Sequence, residues 1–138
     1  MSANNNTTLV MRFYEEFDKG NLDGFADAIG SDFVANVLGT TVLDWSGFKQ
    51  FGNAFVSAFP DGRHMFEHVV TDGDNVVTIG TYQGTQTGEI HGILPTHKRL
   101  KLSVMHLDRI VNGKIVEHRG IANESDFMRQ LGAVTTRQ

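Results

Sequence analysis

Two titratable side chains stand in an otherwise apolar row in the second half of the chain. Every second residue of the run that ends at Asn112-Gly113 forms one row, in which His106 and Asp108 accompany Leu100, Leu102, Val104 and Ile110. Side chains alternate between the two faces of a strand, so the apolar members assign this row to the inner face. Burying an imidazole and a carboxylate is costly unless they are hydrogen-bonded or border a polar cavity. We therefore predict that the pair points into a pocket and exchanges protons with a bound molecule; a buried pair with a structural role is the alternative.

The run across the turn, residues 114–121, brings further charged groups to this pair. Asn-Gly between two β-rich runs is typical of a hairpin, because both residues tolerate positive φ. A two-residue loop would pair Glu117 and Arg119 with the titratable row, whereas a three-residue loop with a bulge would pair His118 and Gly120 with it. The sequence leaves both registers open, and His118 is the third candidate catalytic residue.

The remaining histidines do not predict a metal site. His64 and His68 have the i, i+4 spacing of a helical metal pair, but they lie in a β-rich run, where they would stand about 13 Å apart on one face. His91 and His97 lie in a glycine-rich connection, where a solvated loop histidine is as good an interpretation as a pocket residue. We expect no metal and no cofactor.

The first sixty residues carry the apolar spacing of amphipathic helices, with capping residues before them and glycine or proline after them. The predicted helices are Leu9 to Phe17, behind a Thr7 or Thr8 cap and before Gly20; a shorter one from Asn21 that Gly30 ends; and one from Asp44 or Ser46 to about Phe59, ended by Pro60-Asp61-Gly62. A short strand or extended link is predicted from Phe33 to Leu38.

After Gly62 the sequence consists of β-rich runs separated by turn residues. The predicted strands are Met65 to Val70, Val76 to Tyr82, Leu100 to Val111 and Lys114 to Ile121, followed by a last helical turn or two from Glu124 to Leu131. Helices followed by an antiparallel meander predict an α+β domain whose helices pack on one face of a sheet. If the sheet is strongly curved, its concave face and the helices enclose a cavity.

The aromatic side chains of the helices are either plain core or the wall of that cavity. We predict a pocket bordered by members of one set, which comprises Phe13, Phe17, Trp45 and Phe59 together with His106.

Composition excludes several classes of function. The 138 residues carry a formal net charge of -4 with scattered basic residues, so a nucleic-acid partner is not expected. The absence of cysteine excludes disulfides and thiolate chemistry. No stretch reaches the length of a membrane span, and no leader is recognisable, so we expect a cytoplasmic protein without a membrane partner. Residues 1–6 are expected to be a flexible tail of one domain covering residues 1–138.

Several segments resemble the SnoaL-like polyketide cyclases of the NTF2-like superfamily. The run Thr87-Gly88-Glu89-Ile90-His91-Gly92-Ile93-Leu94-Pro95-Thr96 is similar to the family's TG.(F/L).G(I/M)PPT segment. The run from His106 to Ile115 is similar to its H..RI.(D)GKI hairpin, and His118-Arg119 and Arg129-Gln130-Leu131-Gly132 follow in the same order and spacing. The resemblance covers about residues 59–132 and is looser over the helices.

The resemblance implies an NTF2-like conical barrel with a deep pocket, usually in an oligomer. It further implies an intramolecular aldol condensation without metal or cofactor, in which a carboxylate removes a proton next to a carbonyl. The family's pocket histidine corresponds to His106. Its acid/base aspartate follows the His-Arg pair, where this chain has Gly120, so the base must come from Asp108, His118 or Glu117.

The predicted function is binding of a small, largely apolar carbonyl compound, with cyclase-like or isomerase chemistry by His106, Asp108 and His118. The predicted ligand-binding residues are Phe13, Phe17, Trp45, Phe59, Arg119 and Gly120. A non-catalytic binding protein and a relative of the family's hydroxylase branch are the alternatives. We expect a homodimer, because Met105, Leu107 and Val111 would lie on the outer face of the sheet.

Overall fold

The chain begins with a long amphipathic helix. The computed structural model describes residues 3–132, with side chains from residue 5 onward. Helix α1 spans Ala3–Lys19 and ends before Gly20, whose φ is 73°. It is longer than predicted: Asn6, assigned to a flexible tail, is buried and donates a hydrogen bond to the Gly73 carbonyl at 3.1 Å. The first two residues of the predicted tail lie outside the described residues.

The second predicted helix is shorter and leads into a strand. A 3-10 helix covers Leu22–Ala28, and strand β1 begins at once and spans Ile29–Val37. Gly30 therefore lies in a strand and does not end a helix. This segment is a strand because of a long-range interaction: β1 pairs in parallel with the last described strand, more than eighty residues further along the chain.

A strand that the sequence pattern did not predict precedes the second α-helix. Strand β2 spans Thr41–Leu43 and pairs with β1 in antiparallel orientation. Helix α2 then spans Trp45–Ala58, as predicted, and Asp44 caps it by accepting a hydrogen bond from the Gly47 amide at 2.8 Å.

The predicted meander is confirmed, and each strand is longer than its apolar run. Its strands are β3 over Arg63–Asp72, β4 over Asn75–Thr85, β5 over Arg99–Val111 and β6 over Lys114–Ala122. The six strands form one sheet in the order β2-β1-β6-β5-β4-β3. The α+β fold with helices on a curved, mainly antiparallel sheet is therefore confirmed. The sheet is not a closed barrel, because its edge strands β2 and β3 do not pair with each other.

The β5–β6 hairpin combines features of both predicted registers. Val111 pairs with Lys114, so the loop has two residues, and both have positive φ. Ile110 pairs with Ile115 but Arg109 pairs with Glu117, so one extra residue bulges from β6. That bulge shifts the register by one. As a result Asp108 faces His118 and His106 faces Gly120, although the loop is short.

A second bulge, in β3, separates two histidines that alternation would place on one face. Phe66 pairs with Gly80 and His68 pairs with Ile79, so Glu67 is the extra residue. His64 therefore faces inward, opposite Tyr82, whereas His68 is exposed on the outer face.

Helix α1, helix α2 and the concave face of the sheet enclose the core. Helix α3, Glu124–Gln130, follows β6 and buries Phe127. The connection between β4 and β5 is held by the fully buried amide of Gln86, which donates to carbonyls of residues 88, 93 and 94 and accepts from Thr96. None of the helices within residues 3–132 is long and apolar enough to cross a membrane.

Candidate active site

A cavity of about 80 Å³ lies between the helices and the concave face of the sheet. Most of its wall is apolar, and the aromatic side chains that line it are Tyr14, Phe17, Phe48, Phe51, Phe55 and Tyr82. The polar part of the wall consists of His64, His106 and His118, next to Gly120. A smaller hollow of about 30 Å³ adjoins the cavity through shared residues, among them Leu38 and Phe55. The site is therefore an apolar space with imidazoles on one side.

Behind that wall, a buried carboxylate links two side chains that line the cavity. Asp108 is completely buried; its Oδ2 accepts a hydrogen bond from the Tyr14 hydroxyl at 2.6 Å, and its Oδ1 lies 2.7 Å from His118 Nδ1. Burial raises the pKa of Tyr14 well above its usual value, and the negative charge of Asp108 raises it further. Tyr14 therefore stays protonated and donates to the carboxylate. This Tyr14–Asp108–His118 group, which we call the triad, fixes the orientation of the His118 ring.

His106 packs beside the triad. Its ring centroid lies 4.8 Å from that of Tyr14, and its Nδ1 lies 3.1 Å from Thr78 Oγ1. Burial lowers the pKa of His106 well below its usual value, and the nearby His118 and His64 lower it further. His106 is therefore neutral at neutral pH.

The hydrogen-bond directions follow from the carboxylate, which only accepts. The Tyr14 hydrogen goes to Asp108 Oδ2. His118 Nδ1–H donates to the other carboxylate oxygen. The other ring nitrogen of His118, Nε2, lies next to Gly120.

Gly120 leaves a space between the two Nε2 atoms. A Cβ atom at this position would lie 3.3 Å from His118 Nε2 and 3.7 Å from His106 Nε2, and only 3.0 Å from His106 Cδ2. A larger side chain would crowd both rings, whereas glycine keeps the space free for an atom of a bound molecule.

A third imidazole is oriented by its own carboxylate. Asp18 accepts from the His64 backbone amide at 2.7 Å and lies 2.8 Å from His64 Nδ1. The His64 ring packs against His106 with a centroid distance of 5.5 Å. The Asp18 contact fixes the orientation of the His64 ring, which lines the cavity.

The structure brings some of the predicted site residues together and separates others. His106, His118, Phe17 and Gly120 line the cavity, and Asp108 lies directly behind the wall. The other predicted ligand-binding residues, Phe13, Trp45, Phe59 and Arg119, do not line it.

These four residues are placed elsewhere for two reasons. Phe13 and Phe59 are buried in the core, and Trp45 packs edge-on against Phe33. The apolar side of each helix thus also packs against the core, and these three side chains do not reach the cavity. Arg119 points to the outer face of β6, where it pairs with Glu117 at 2.7 Å, because the bulge reverses its side.

The sequence interpretation did not assign Tyr14, Thr78, His64 and Asp18 to the site. Tyr14 lies in the predicted helix from Leu9 to Phe17, next to Phe13 in its apolar stripe. The available signal was its hydroxyl, which in a buried stripe needs a partner. His64 was set aside because alternation paired it with His68, and the bulge that separates them has no signature in the sequence.

The three histidines of the cavity wall are not accompanied by a cluster of metal-ligating side chains in the part of the chain that the structure describes. Among residues 3–132 there is no group of three or more His, Asp or Glu side chains placed to hold a metal ion. Their shared property is that each ring lines the same apolar cavity.

Comparison with known families gives one match over most of the chain. The model of the SnoaL-like polyketide cyclases matches residues 8–131. Comparison with curated proteins finds no match.

Several solved structures share the fold. AclR from Streptomyces galilaeus, a candidate hydroxylase, superimposes with a TM-score of 0.86 at 22% identity, over 99% of this chain and 91% of that chain. A candidate SnoaL-like polyketide cyclase from Jannaschia sp. CCS1 has a TM-score of 0.86 at 20% identity, over 96% and 94%. IdmH from Streptomyces antibioticus, a candidate polyketide cyclase, has a TM-score of 0.81 at 26% identity, over 92% and 98%.

Proposed function

Because the chain belongs to the SnoaL-like polyketide cyclase family, we propose that it is a cofactor-independent acid/base enzyme for a small, largely apolar, enolisable carbonyl compound. The observation that carries the proposal is the triad, in which Asp108 is fully buried and bonded to Tyr14 and His118. A carboxylate that orients an imidazole and stabilises its protonated form is the arrangement of a general base.

In the proposed reaction His118 is the base. Its Nε2 removes a proton from the carbon next to the carbonyl, and Asp108 stabilises the resulting imidazolium through Nδ1–H. The imidazolium then returns the proton to the carbonyl oxygen, so that a C–H bond breaks and an O–H bond forms. A positioned base of this kind contributes about 10²- to 10⁴-fold to the rate.

The resulting enol can react further without a cofactor. Attack of its carbon on a second carbonyl of the same molecule would close a ring, and reprotonation at another carbon would isomerise it. Membership of the SnoaL-like polyketide cyclase family favours ring closure over isomerisation. His106, whose pKa burial lowers well below its usual value, hydrogen-bonds with the enol as a neutral imidazole, which has one donor and one acceptor nitrogen.

The second candidate function is binding without catalysis. Gly120 stands where the family's acid/base aspartate is expected, and this favours a protein that only holds its ligand. The two functions differ in whether His118 moves a proton.

We also propose a homodimer formed through the outer face of the sheet. Exposed apolar side chains continue across the middle strands, where Ile121 pairs with Met105 and Met105 pairs with Ile79. Met105 is 45% exposed and Ile121 is 54% exposed. A contiguous apolar patch of this kind is typical of an interface.

Hydrogen–deuterium exchange into a small ketone tests the catalytic proposal. The wild-type protein in D₂O should accelerate loss of the α-proton signal of cyclohexanone in NMR spectra, and His118→Gln should reduce the acceleration at least about 100-fold. His68→Gln is the matched control, because His68 lies on the outer face of β3. Exchange no faster than with buffer, in a folded protein, would favour the binding function.

A further inference from the structure

We infer that the smaller hollow of about 30 Å³ is the route by which molecules reach the cavity from solvent, and that the His91 side chain is the gate on this route. His91 thereby sets how fast a molecule enters and favours narrow molecules over wide ones. The inference goes beyond the proposed function and does not depend on it, because a binding protein and an enzyme both need an entrance.

The first argument is the continuity of the two spaces. Four apolar residues line both the hollow and the cavity, namely Leu38, Phe55, Leu102 and Ala122. The remaining wall of the hollow includes His91, Asn123 and Glu124, all of which are exposed to solvent. The hollow therefore leads from solvent to the apolar wall of the cavity.

The second argument is the position of the His91 ring. Its centroid lies 5.9 Å from that of Phe55, with the two ring planes 82° apart, and 6.3 Å from that of Phe127. Both phenylalanines line the hollow, so the imidazole borders it between them. One edge-on contact between rings is weak, and exposed side chains change rotamer within nanoseconds. The ring can therefore swing aside and return.

The third argument is the backbone at the two turns that carry His91 and Leu38. Their φ angles are 51° and 56°, in the left-handed region that side chains other than glycine rarely adopt. Glycine would fit both turns without strain. Both positions instead carry a side chain that borders the hollow, and a strained conformation of this kind is typical of functional sites.

The fourth argument is that the connection carrying His91 is itself fixed. Ile90 and Ile93, on either side of the turn, are buried and exchange two backbone hydrogen bonds of 3.1 and 2.8 Å. The buried Gln86 amide donates to the Ile93 carbonyl at 3.1 Å and holds the connection from inside. The backbone therefore stays in place while the His91 side chain rotates, so the gate is a side chain and not a mobile loop.

Labelling of a thiol inside the cavity tests the inference with the full chain. The chain has no cysteine, so Val104→Cys introduces a single thiol, at a residue that is 6% exposed and lines the cavity. Its thiolate attacks the sulfur of methyl methanethiosulfonate, so that a disulfide forms and methanesulfinate leaves. Mass spectrometry follows the rate. Ala122→Cys is the second reporter if Val104→Cys does not fold, because Ala122 lines the same cavity.

In either reporter, the additional change His91→Ala should raise the labelling rate about two- to tenfold, the factor that corresponds to one broken aromatic contact. The wider benzyl methanethiosulfonate should gain more than the methyl reagent, because the missing ring widens the route. The backbone amides of Ile90 and Ile93 should keep their protection from hydrogen exchange.

His97→Ala is the matched control and should leave the labelling rate unchanged. His97 belongs to the same connection, has positive φ and is exposed, but it lines neither the hollow nor the cavity.

An equal labelling rate with and without the His91 ring, an equal gain in His97→Ala, or a gain no larger for the benzyl reagent would overturn the inference. Loss of amide protection at Ile90 and Ile93 in His91→Ala would do so too, because the backbone would then be the gate. No labelling in any folded variant would show that the hollow admits no molecules.

The outcome is independent of the ketone test. Faster labelling in His91→Ala without exchange into cyclohexanone would refute catalysis and leave the gate standing. Exchange into cyclohexanone with unaltered labelling would refute the gate alone.

Discussion

Substitution of Gly120 by aspartate restores the carboxylate that the family resemblance predicts at this position, and its effect on His106 follows from the geometry. The added Cβ would lie 3.7 Å from His106 Nε2, so the carboxylate is placed close to the ring. Two unit charges about 4 Å apart interact by about 4 kcal/mol at an effective dielectric constant of about 20. At about 1.36 kcal/mol per pKa unit this allows a rise of up to about 3 units, and we expect the His106 pKa to rise by about 1 to 3 units.

The substitution also has a steric cost. A Cβ 3.0 Å from His106 Cδ2 is tighter than ordinary contact, so the ring must move by a few tenths of an ångström. Overpacking of this kind destabilises by about 1 to 3 kcal/mol. Gly120→Asn has the same shape without the charge and is the matched control, which separates crowding from electrostatics.

The sign of the pH effect distinguishes the two variants. In the wild-type protein the pKa of His106 is lower in the folded state than in the unfolded state. As the pH falls below about 6.5, His106 therefore becomes protonated in the unfolded chain while it is still neutral in the folded protein. Stability is then lost with decreasing pH, by up to about 1.4 kcal/mol per pH unit from this group. In Gly120→Asp the pKa of His106 is raised, so the free energy of unfolding falls less as the pH decreases. Gly120→Asp should therefore become more stable relative to Gly120→Asn at acidic pH.

Two measurements check the prediction. NMR titration of the imidazole protons gives the His106 pKa directly, and urea unfolding between about pH 5 and pH 7.5 gives the difference in stability between the two variants. If His106 titrates alike in folded Gly120→Asp and Gly120→Asn, position 120 does not face this imidazole and the geometry of the site is refuted.

Three further predictions concern the network, the β4–β5 connection and the outer face. Tyr14→Phe removes the donor to Asp108 and should lower the free energy of unfolding by about 1 to 3 kcal/mol in urea, whereas an unchanged value would show that the buried carboxylate does not need this bond. Gly88→Ala places a Cβ 2.6 Å from the Ser57 carbonyl oxygen and should lower the melting temperature by several degrees in calorimetry; an unaltered transition would contradict that contact. Light scattering should give a dimer for the wild-type protein and a monomer for Met105→Glu with Ile121→Glu, and a monomeric wild-type protein would refute the proposed interface.

Local signals in the sequence predict the elements well, because the interactions that form them are local. Asp44 caps α2 as its position before the aromatic stripe indicates, and Asn112-Gly113 forms the two-residue turn. The pairing of β1 with β6 was not predicted, because a parallel strand has its partner far away in the chain and leaves only a weak pattern. The same long-range pairing explains why Gly30 lies in a strand.

The site could be predicted only in part, because the side that a strand residue faces depends on bulges. The alternation of β5 correctly groups His106 with Asp108, since this strand is regular throughout. Alternation fails in β3 and β6, where one extra residue reverses the side of everything that follows, and so His64 was set aside and Arg119 was included. The sequence also indicates which face of α1 is apolar, but it does not indicate how deeply each apolar side chain is buried. It therefore could not distinguish Phe17, which lines the cavity, from Phe13, which lies in the core.

The bulge in β6 has a consequence at the level of the gene. Val116 is the one residue of the strand without a partner in β5. Deleting its codon would remove the bulge and leave the pairs in place, because Glu117 would follow Ile115 directly and still face Arg109, with His118 facing Asp108 and Gly120 facing His106. Pairing Val116 with Arg109 would instead bring Glu117 opposite Asp108 and Arg119 opposite His106, so the bulge keeps His118 in the site. The identity of the site is encoded as much in the spacing of this strand as in the side chains themselves.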